Sequence, residues 1–127
     1  MIEQGTAEWH AMRLGKVTAS KVSSVVARTK SGWGAERGNY LAQLVVERMT
    51  GIPTEGFTND AMRWGTEKEP DARDAYSFYS GNEVTLASFV DHPKIAMSGA
   101  SPDGFIADDG LVEIKCPQSS GHIETLL

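Results

Sequence analysis

A short polar turn between two apolar runs near the end of the chain constrains its fold most strongly. The turn is Asp108-Asp109-Gly110, and the flanking runs are Phe105-Ile106-Ala107 and Leu111-Val112. Such a turn between apolar runs is typical of a β-hairpin, in which alternate side chains share one face. The sequence therefore predicts an antiparallel hairpin with strands over residues 103–107 and 111–116.

The predicted hairpin gathers three charged side chains on one face. A three-residue loop with Gly110 in the left-handed conformation pairs Asp103 with Lys115 and Phe105 with Glu113. Asp103, Glu113 and Lys115 then lie on the same face. A two-residue loop would turn Asp103 to the other face, because a shift of one residue reverses the whole set. The first arrangement predicts two carboxylates and an ammonium group side by side.

This combination of side chains suits phosphodiester hydrolysis. Mg²⁺ in proteins is held by one or two carboxylates and keeps several water molecules for the nucleophile and the substrate. A lysine beside the metal orients or deprotonates the attacking water and neutralises developing charge. Pro-Asp-Gly and Glu-x-Lys are each common in exposed turns and strands, so either alone indicates little. Their joint occurrence favours a metal-dependent hydrolase.

Length and composition indicate a single intracellular domain. The chain has 127 residues, and its one cysteine, Cys116, excludes an internal disulfide and a cysteine-cluster zinc site. The sequence contains neither an apolar run long enough to span a membrane nor a signal peptide, so we expect a cytoplasmic protein.

The charge is unevenly distributed along the chain. Residues 1–50 contain seven Lys/Arg and four Glu, net +3, whereas residues 51–127 contain five Lys/Arg and thirteen Asp/Glu, net −8. A basic half for phosphates and an acidic half for cations suit a metal-dependent nuclease. Chance variation on exposed faces explains the charge distribution equally well.

Helical periodicity and end signals precede the strands. They predict a first helix capped by Thr6, a second capped by Thr18, a third whose apolar stripe runs from Tyr40 to Met49, and a fourth from about Asp60 to Tyr79. The fourth is expected to kink or break near Lys68–Glu69, because Pro70 cannot donate a helical hydrogen bond. Four strands are predicted after it, over residues 83–90, 95–98, 103–107 and 111–116. Helices followed by an antiparallel meander predict an α+β fold.

Four motifs carry a family resemblance, in the order EWHAMRLG with VTAS (residues 8–20), WGTEKEPDAR (64–73), SPDG (101–104) and EIKCP (113–117). On these motifs the chain resembles the phage-type exonuclease family, which includes lambda exonuclease and the YqaJ viral recombinases and belongs to the PD-(D/E)xK nuclease superfamily. The resemblance extends from about residue 4 to residue 120.

The resemblance implies a restriction-endonuclease-like core with N-terminal helices and a central mixed sheet. Residues 1–127 would then form one nuclease domain. Family members continue past the Glu-x-Lys strand with a helix and further strands, so the resemblance also implies a fold that is incomplete at its C-terminus.

The resemblance assigns roles to five residues of a metal site. Asp103 and Glu113 correspond to the metal-binding carboxylates, and the backbone carbonyl of Ile114 corresponds to a third ligand. Lys115 corresponds to the lysine that handles the attacking water. Glu69 corresponds to a helical acid that completes the site or holds a metal-bound water. The implied cofactor is Mg²⁺, with Mn²⁺ as a substitute.

Three further residues correspond to positions that bind DNA phosphate in the family. Arg13 and Ser20 match residues that bind the 5′-terminal phosphate, and Ser101 matches a nearby phosphate-contacting serine. The sequence also allows structural roles, because Arg13 ends a predicted helix and Ser20 lies in a predicted first helical turn.

The resemblance implies a metal-dependent deoxyribonuclease that hydrolyses phosphodiester bonds of double-stranded DNA, as a 5′-to-3′ exonuclease of phage recombination. The implied partners are DNA with 5′-phosphorylated ends, a single-strand annealing protein and further copies of the chain, as in the trimer of lambda exonuclease; no membrane is implied. A non-catalytic DNA-end or partner-binding remnant and a restriction-type endonuclease stay open as alternatives.

Overall fold

The computed structural model describes residues 1–54 and 56–127, which fold into five α-helices and eight short strands. The helices are α1 (Ala7–Arg13), α2 (Val22–Val25), α3 (Ala35–Thr50), α4 (Asp60–Ser80) and α5 (Ser119–Leu126). The strands are β1 (Val17–Thr18), β2 (Arg28–Thr29), β3 (Gly32–Trp33), β4 (Val84–Thr85), β5 (Val90–Asp91), β6 (Ser98–Ala100), β7 (Gly104–Ile106) and β8 (Gly110–Val112). A 3₁₀ turn, Ala19–Lys21, joins β1 to α2.

The chain divides into two compact units. The first comprises Met1–Glu55 with Ala87–Pro102, and the second comprises Gly56–Leu86 with Asp103–Leu127. Within the part of the chain that the structure describes, no helix combines the length and hydropathy needed to cross a lipid bilayer.

The first unit contains a mixed three-stranded sheet in the order β1-β6-β5. Strand β1 runs parallel to β6, and β5 runs antiparallel to it. The two-stranded ribbon β2-β3 also belongs to this unit. Among the residues that the structure describes, the buried apolar side chains come from this unit: Trp9, Tyr40, Leu44, Ala87 and Phe89. Helices α1 and α3 both contribute side chains to this core, and they belong to the same unit as the mixed sheet.

The Tyr40 hydroxyl links α3 to the segment around β1. It accepts a hydrogen bond from the backbone N–H of Thr18, with a donor–acceptor distance of 3.2 Å, and donates to the carbonyl of Lys16 at 3.4 Å. Thr18 is the buried polar residue of this region. A buried backbone N–H needs a partner, and the tyrosine supplies it at the end of the short strand.

Thr18 takes the predicted N-cap position, at the start of the 3₁₀ turn, but makes no capping contact. Thr18 lies in β1 opposite Gly99, and its side chain makes no capping hydrogen bond. The pairing with β6 is contributed by residues about eighty positions later, so local sequence did not reveal it. Tertiary pairing therefore overrides the local cap signal at this position.

The second unit combines α4 with the antiparallel sheet β4-β7-β8. Helix α4 begins after Asn59, whose Oδ1 accepts a hydrogen bond from the N–H of Met62 at 2.9 Å, and ends at Gly81. The predicted break near Lys68–Glu69 does not occur. The helix continues through Pro70. Proline removes one backbone donor, and the hydrogen bonds of the neighbouring turns keep the helix continuous.

The strands are shorter than predicted, and one predicted strand corresponds to two separate strands in the structure. The stretch 83–90 contains β4 and β5, which belong to different sheets. The strand expected over residues 95–98 lies at Ser98–Ala100, and the strand expected over residues 111–116 ends at Val112. Alternation of apolar residues indicated extended chain but not where pairing begins or ends, because pairing depends on distant partners.

The hairpin β7-β8 forms with a register two residues away from the predicted one. Phe105 pairs with Leu111, and Ile106 pairs with Gly110, so the loop consists of residues 107–109. The left-handed residue is Ala107, with φ of 50°, and not Gly110 as predicted. Gly110 is required for a different reason, because a Cβ there would lie 2.7 Å from the carbonyl oxygen of Ile106.

The two-residue difference in register preserves the face of every side chain. Strand residues alternate with a period of two, so a shift by two returns each side chain to the same side. Extension of the observed register places Asp103 opposite Glu113. The observed register is therefore compatible with the predicted common face of these carboxylates, which lie just beyond the paired residues.

The turn that follows α1 depends on a glycine and an arginine. Gly15 has φ of 65°, and its carbonyl accepts a hydrogen bond from Nε of Arg48 in α3 at 2.9 Å. A Cβ on Gly15 would overlap Cγ of Arg48. The position thus combines a left-handed backbone with close packing.

We predict that Gly15→Ala lowers the free energy of unfolding more than Gly51→Ala does. Gly51 has a similar φ of 69° but open space around the added Cβ, so its change carries only the backbone strain, about 1 kcal/mol. Gly15→Ala adds the displacement of Arg48, a further cost of about 1–3 kcal/mol. Urea unfolding of both variants measures the difference, and equal losses would contradict the role of the Arg48 contact.

Candidate functional site

The hairpin of the second unit fixes Asp103 at the entrance of β7. Oδ2 of Asp103 accepts a hydrogen bond from the backbone N–H of Ile114, with a donor–acceptor distance of 2.6 Å. Asp103 and Ile114 are both half-buried. The contact joins the first strand of the hairpin to the segment that leaves the second. It therefore sets the separation between Asp103 and the Glu-x-Lys motif.

Glu113 and Lys115 lie two residues apart and form an ion pair between Oε1 and Nζ. The two side chains are 58% and 78% exposed, respectively, so solvent screens the pair and it adds little stability. The pKa of Lys115 is raised, chiefly by the hydrogen bond to Glu113 and further by the charges of Glu113, Asp103 and Glu69. In this arrangement Lys115 is a cation, suited to charge stabilisation.

Helix α4 contributes Glu69. A Cβ on Gly65 would lie 3.7 Å from the carbonyl oxygen of Cys116, so α4 passes close to the segment after the hairpin at that point. Glu69 is one helical turn further along and therefore lies on the same face of α4 as Gly65. The helix thus turns its acid toward the Glu-x-Lys segment.

The Glu69 carboxylate is paired with Arg73, four residues later. Nη2 of Arg73 donates to Oε1 of Glu69 at 2.7 Å, and the side chains are 17% and 31% exposed, respectively. Nε of Arg73 is buried and has no hydrogen-bond partner within residues 1–54 and 56–127. Arg73 has no role in the site predicted from the sequence, although the i, i+4 spacing of an acid and a base indicates such a pair.

The pKa of Glu69 is raised in spite of this ion pair. Burial is the largest cause, and the negative charge of Asp103 adds to it; Arg73 acts in the opposite direction, and Glu113 raises the pKa further. The structure therefore places four of the five residues predicted at the metal site, Glu69, Asp103, Glu113 and Lys115, close enough for their charges to interact. It also leaves their negative charge incompletely balanced.

The carboxylates are close enough to repel one another but do not converge on one point. Among the described residues, no group of three or more His, Cys, Asp and Glu side chains is arranged to hold a metal ion. Each of Asp103, Glu113 and Glu69 uses one oxygen, for Ile114, Lys115 and Arg73 respectively.

This donor set nevertheless fits a divalent cation. In the part of the chain described, the second oxygen of each carboxylate makes no hydrogen bond. Mg²⁺ and Mn²⁺ prefer hard oxygen ligands of this kind. Burial raises the pKa of Glu69 most, and the charge of Asp103 adds to it; a cation would offset the repulsion from Asp103.

The first unit holds the three residues predicted to bind phosphate. Strands β1 and β6 are parallel, with Val17 opposite Ser98 and Thr18 opposite Gly99. Ser20 lies in the 3₁₀ turn that follows β1, and Ser101 directly follows β6, so both serines lie just past the carboxyl ends of these strands. Ligands commonly bind at this edge of a sheet with parallel strands. The structure therefore brings the two predicted serines to one edge.

Arg13 lies in the last turn of α1, in the same unit. Its guanidinium carbon is 4.0 Å from the centroid of the Trp9 ring. Burial lowers the pKa of Arg13, while Tyr40 and Glu47 act to raise it. Arginine keeps its charge through such shifts, so this half-buried group is a fixed cation.

Trp9 is the residue whose contacts the sequence analysis missed in this unit. Its spacing of four from Arg13 in a helix indicates their contact. Its hydrogen bond to Ser101, by contrast, joins residues 92 positions apart and has no local signal.

A cavity of about 420 Å³ in the first unit is lined by residues of β1, α2, β3 and α3, among them Val17, Val25, Trp33 and Leu44. None of the described residues predicted at a functional site lines it. The chemistry of the predicted sites therefore does not involve this cavity.

Comparison with known proteins identifies the family. Residues 8–127 match the family described as the YqaJ-like viral recombinase domain. The chain belongs to this family. The match covers almost the whole chain and confirms the family predicted from the four motifs.

Two solved structures resemble this YqaJ-like domain closely. One is the crystal structure of an alkaline exonuclease, LHK-Exo, from Laribacter hongkongensis, with 51% sequence identity and a TM-score of 0.82. The other is the structure of LHK-Exo in complex with dAMP, with 52% identity and the same TM-score of 0.82. Each match covers 95% of this chain and 58% of the exonuclease chain.

The YqaJ-like domain thus spans less than two thirds of the length of the exonuclease that it matches. No curated protein matches the chain. The structural matches confirm the predicted α+β fold, which is that of a PD-(D/E)xK nuclease.

We predict that Glu69→Gln stabilises the metal-free chain at pH 8. A carboxyl whose folded pKa lies above its ordinary value of 4.5 favours folding only when protonated, so its ionised form opposes folding at high pH. The gain should disappear below the ordinary pKa, where Glu69 is protonated in both the folded and the unfolded state.

Urea unfolding in EDTA at pH 8 and in acid measures this effect. The control is Glu67→Gln, which removes an exposed carboxylate from the same helix. A loss of stability at pH 8 in Glu69→Gln, beyond that of the control, would show that the ion pair with Arg73 dominates.

Proposed function

We propose that this YqaJ-like domain is a metal-dependent deoxyribonuclease that degrades double-stranded DNA from 5′-phosphorylated ends. The observation that carries the proposal is the gathering of Glu69, Asp103, Glu113 and Lys115 in one unit with incompletely balanced negative charge. The likeness to an alkaline exonuclease at 51% identity supports the same reaction class. Residues 1–127 act as one nuclease domain in this proposal.

Asp103, Glu113, the carbonyl of Ile114 and Glu69 would hold Mg²⁺ or Mn²⁺. When bound, such an ion supplies Lewis-acid stabilisation of the phosphate and lowers the pKa of a bound water. Arg73 holds one oxygen of Glu69 and so directs the other away from the ion pair.

Lys115 stabilises the negative charge that develops at phosphorus. Its raised pKa keeps it protonated, and its neighbours Asp103, Glu113 and Glu69 hold the ammonium near the scissile phosphate. Water adds to phosphorus and gives up a proton, the bond from phosphorus to the 3′-oxygen breaks, and that oxygen takes up a proton.

The proposed polarity explains the need for a phosphate site. Cleavage of the P–O3′ bond releases a 5′-mononucleotide and leaves a new 5′-phosphate on the shortened strand. The complex of LHK-Exo with dAMP contains a molecule of this mononucleotide class. Arg13, Ser20 and Ser101 bind the terminal phosphate, which carries more negative charge than an internal diester. Every cycle therefore regenerates the end that the site recognises.

The recombination context supplies the proposed partners. Resection of one strand exposes a single strand for an annealing protein, and a ring of identical subunits around DNA, as in the trimer of lambda exonuclease, would keep the enzyme on its substrate. Family membership supports both proposals.

Linear and circular substrates test the proposed function. The purified chain is incubated with a 5′-phosphorylated linear duplex and with a covalently closed circle of the same sequence, in Mg²⁺ and in EDTA. We expect mononucleotide release from the linear duplex in Mg²⁺ alone and no product from the circle. Cleavage of the circle would indicate an endonuclease, and DNA binding without cleavage would indicate a non-catalytic remnant.

We predict that Lys115→Ala lowers kcat by about a hundredfold or more and changes DNA affinity by less than about twofold. Charge stabilisation acts in the transition state, so its loss appears in the rate and not in binding. Single-turnover digestion and anisotropy titration measure the two quantities. The control is Lys94→Ala, which removes an exposed lysine of the other unit. Equal losses of rate and affinity would make Lys115 a phosphate anchor.

A further inference from the structure

Trp9 contacts two of the three residues predicted to bind phosphate, and it does so with two different parts of its side chain. The face of the ring lies 4.0 Å from the guanidinium carbon of Arg13. The indole Nε1–H donates a hydrogen bond to Oγ of Ser101 at 3.1 Å. Trp9 itself is only 9% exposed, so the ring is held by the core of the first unit.

The hydrogen bond from Trp9 fixes the direction in which Ser101 can donate. Indole N–H is a donor only, so Oγ of Ser101 must accept from it. A hydroxyl has a single hydrogen, and that of Ser101 has no acceptor among the described residues. The hydrogen therefore points away from the indole. An anion requires donors, and the hydroxyl is oriented as one.

The stacking contact acts in a similar way on Arg13. A guanidinium stacked on an aromatic face uses its plane and keeps the N–H donors along its edge. Within residues 1–54 and 56–127, Arg13 forms neither a salt bridge nor a hydrogen bond through its side chain. The ring therefore holds the cation in place without occupying the groups that bind phosphate.

We propose that Trp9 is a positioning residue that sets Arg13 and Ser101 as one donor pair for the 5′-terminal phosphate. The inference rests on the proposed function of these two residues. Ser101 belongs to the Ser-Pro-Asp motif, and Arg13 ends α1, so the indole couples two distant segments of the chain. In this proposal, recognition of the terminal phosphate depends on a largely buried tryptophan.

The test separates the two contacts by substitution. Trp9→Phe keeps an aromatic face for Arg13 and removes the N–H that orients Ser101, whereas Trp9→Leu removes both contacts. The measured quantity is the ratio of the dissociation constants for 5′-hydroxyl and 5′-phosphorylated duplexes, from anisotropy titrations in EDTA. This readout requires neither metal nor catalysis.

We expect Trp9→Phe to lower the ratio about fivefold, the factor for one ordinary hydrogen bond, with the affinity for 5′-hydroxyl ends unchanged. Ser101→Ala should give the same loss, and the double variant Trp9→Phe/Ser101→Ala should lose no more than either change alone. Trp9→Leu should lower the ratio further, toward that of Arg13→Ala. Ser98→Ala, three residues earlier in the chain, is the matched control and should leave the ratio unchanged.

An equal loss of affinity for both kinds of end in Trp9→Phe, or additive effects in the double variant, would overturn the proposal and leave Trp9 a core residue. If Trp9→Phe does not fold, Ser101→Ala alone decides, because it leaves the indole in place; an unchanged ratio overturns the proposal. A wild-type chain that binds both ends equally would overturn the phosphate site as well. If the wild-type chain prefers 5′-phosphorylated ends and Trp9→Phe leaves the ratio unchanged, only the positioning role of Trp9 is refuted.

Discussion

The hydrogen bond from the N–H of Ile114 to Asp103 is the interaction on which the second unit depends. It closes the open end of the β7-β8 hairpin, opposite the loop, and so fixes where the Glu-x-Lys segment leaves the sheet. Without it, nothing in the short ladder, which ends at Val112, would hold Glu113 and Lys115 near the entrance of β7. A backbone donor to a carboxylate is among the stronger neutral-to-charged hydrogen bonds, and it survives within a half-buried segment. Placement of the carboxylates therefore follows from the backbone of the hairpin.

The same arrangement has an electrostatic cost for the metal-free chain. Burial, together with the charges of Asp103 and Glu113, raises the pKa of Glu69, so ionised Glu69 opposes folding, and Arg73 offsets this only in part. Proteins commonly keep such unfavourable charge only where it has a function. The pKa of Lys115 is also raised, first by its hydrogen bond to Glu113 and then by the charges of the three carboxylates. One cluster thus accounts for the raised pKa of both Glu69 and Lys115.

The face of each hairpin side chain was predictable from the sequence, and the register was not. Alternation has a period of two, so the face assignment of Asp103 survived a register error of two residues, whereas an error of one would have reversed it. The loop was misplaced because Gly110 was assigned a left-handed conformation, while its actual constraint is the close approach of the Ile106 carbonyl. Helix α4 was predictable because Asn59 and Gly81 mark its ends. The parallel pairing of β1 with β6, and the contact of Trp9 with Ser101, join distant segments and left no local signal.

Manganese binding tests most directly the central claim that the hairpin and α4 form a divalent-metal site. Mn²⁺ is titrated into the EDTA-treated and dialysed chain, and free Mn²⁺ is measured by its paramagnetic resonance signal. We expect the wild-type chain to bind Mn²⁺ and Asp103→Asn to lose that binding by about tenfold or more. The control Asp108→Asn, in the exposed hairpin loop, should bind as the wild type does. Equal Mn²⁺ affinity in Asp103→Asn and the wild type would contradict the assignment of the site.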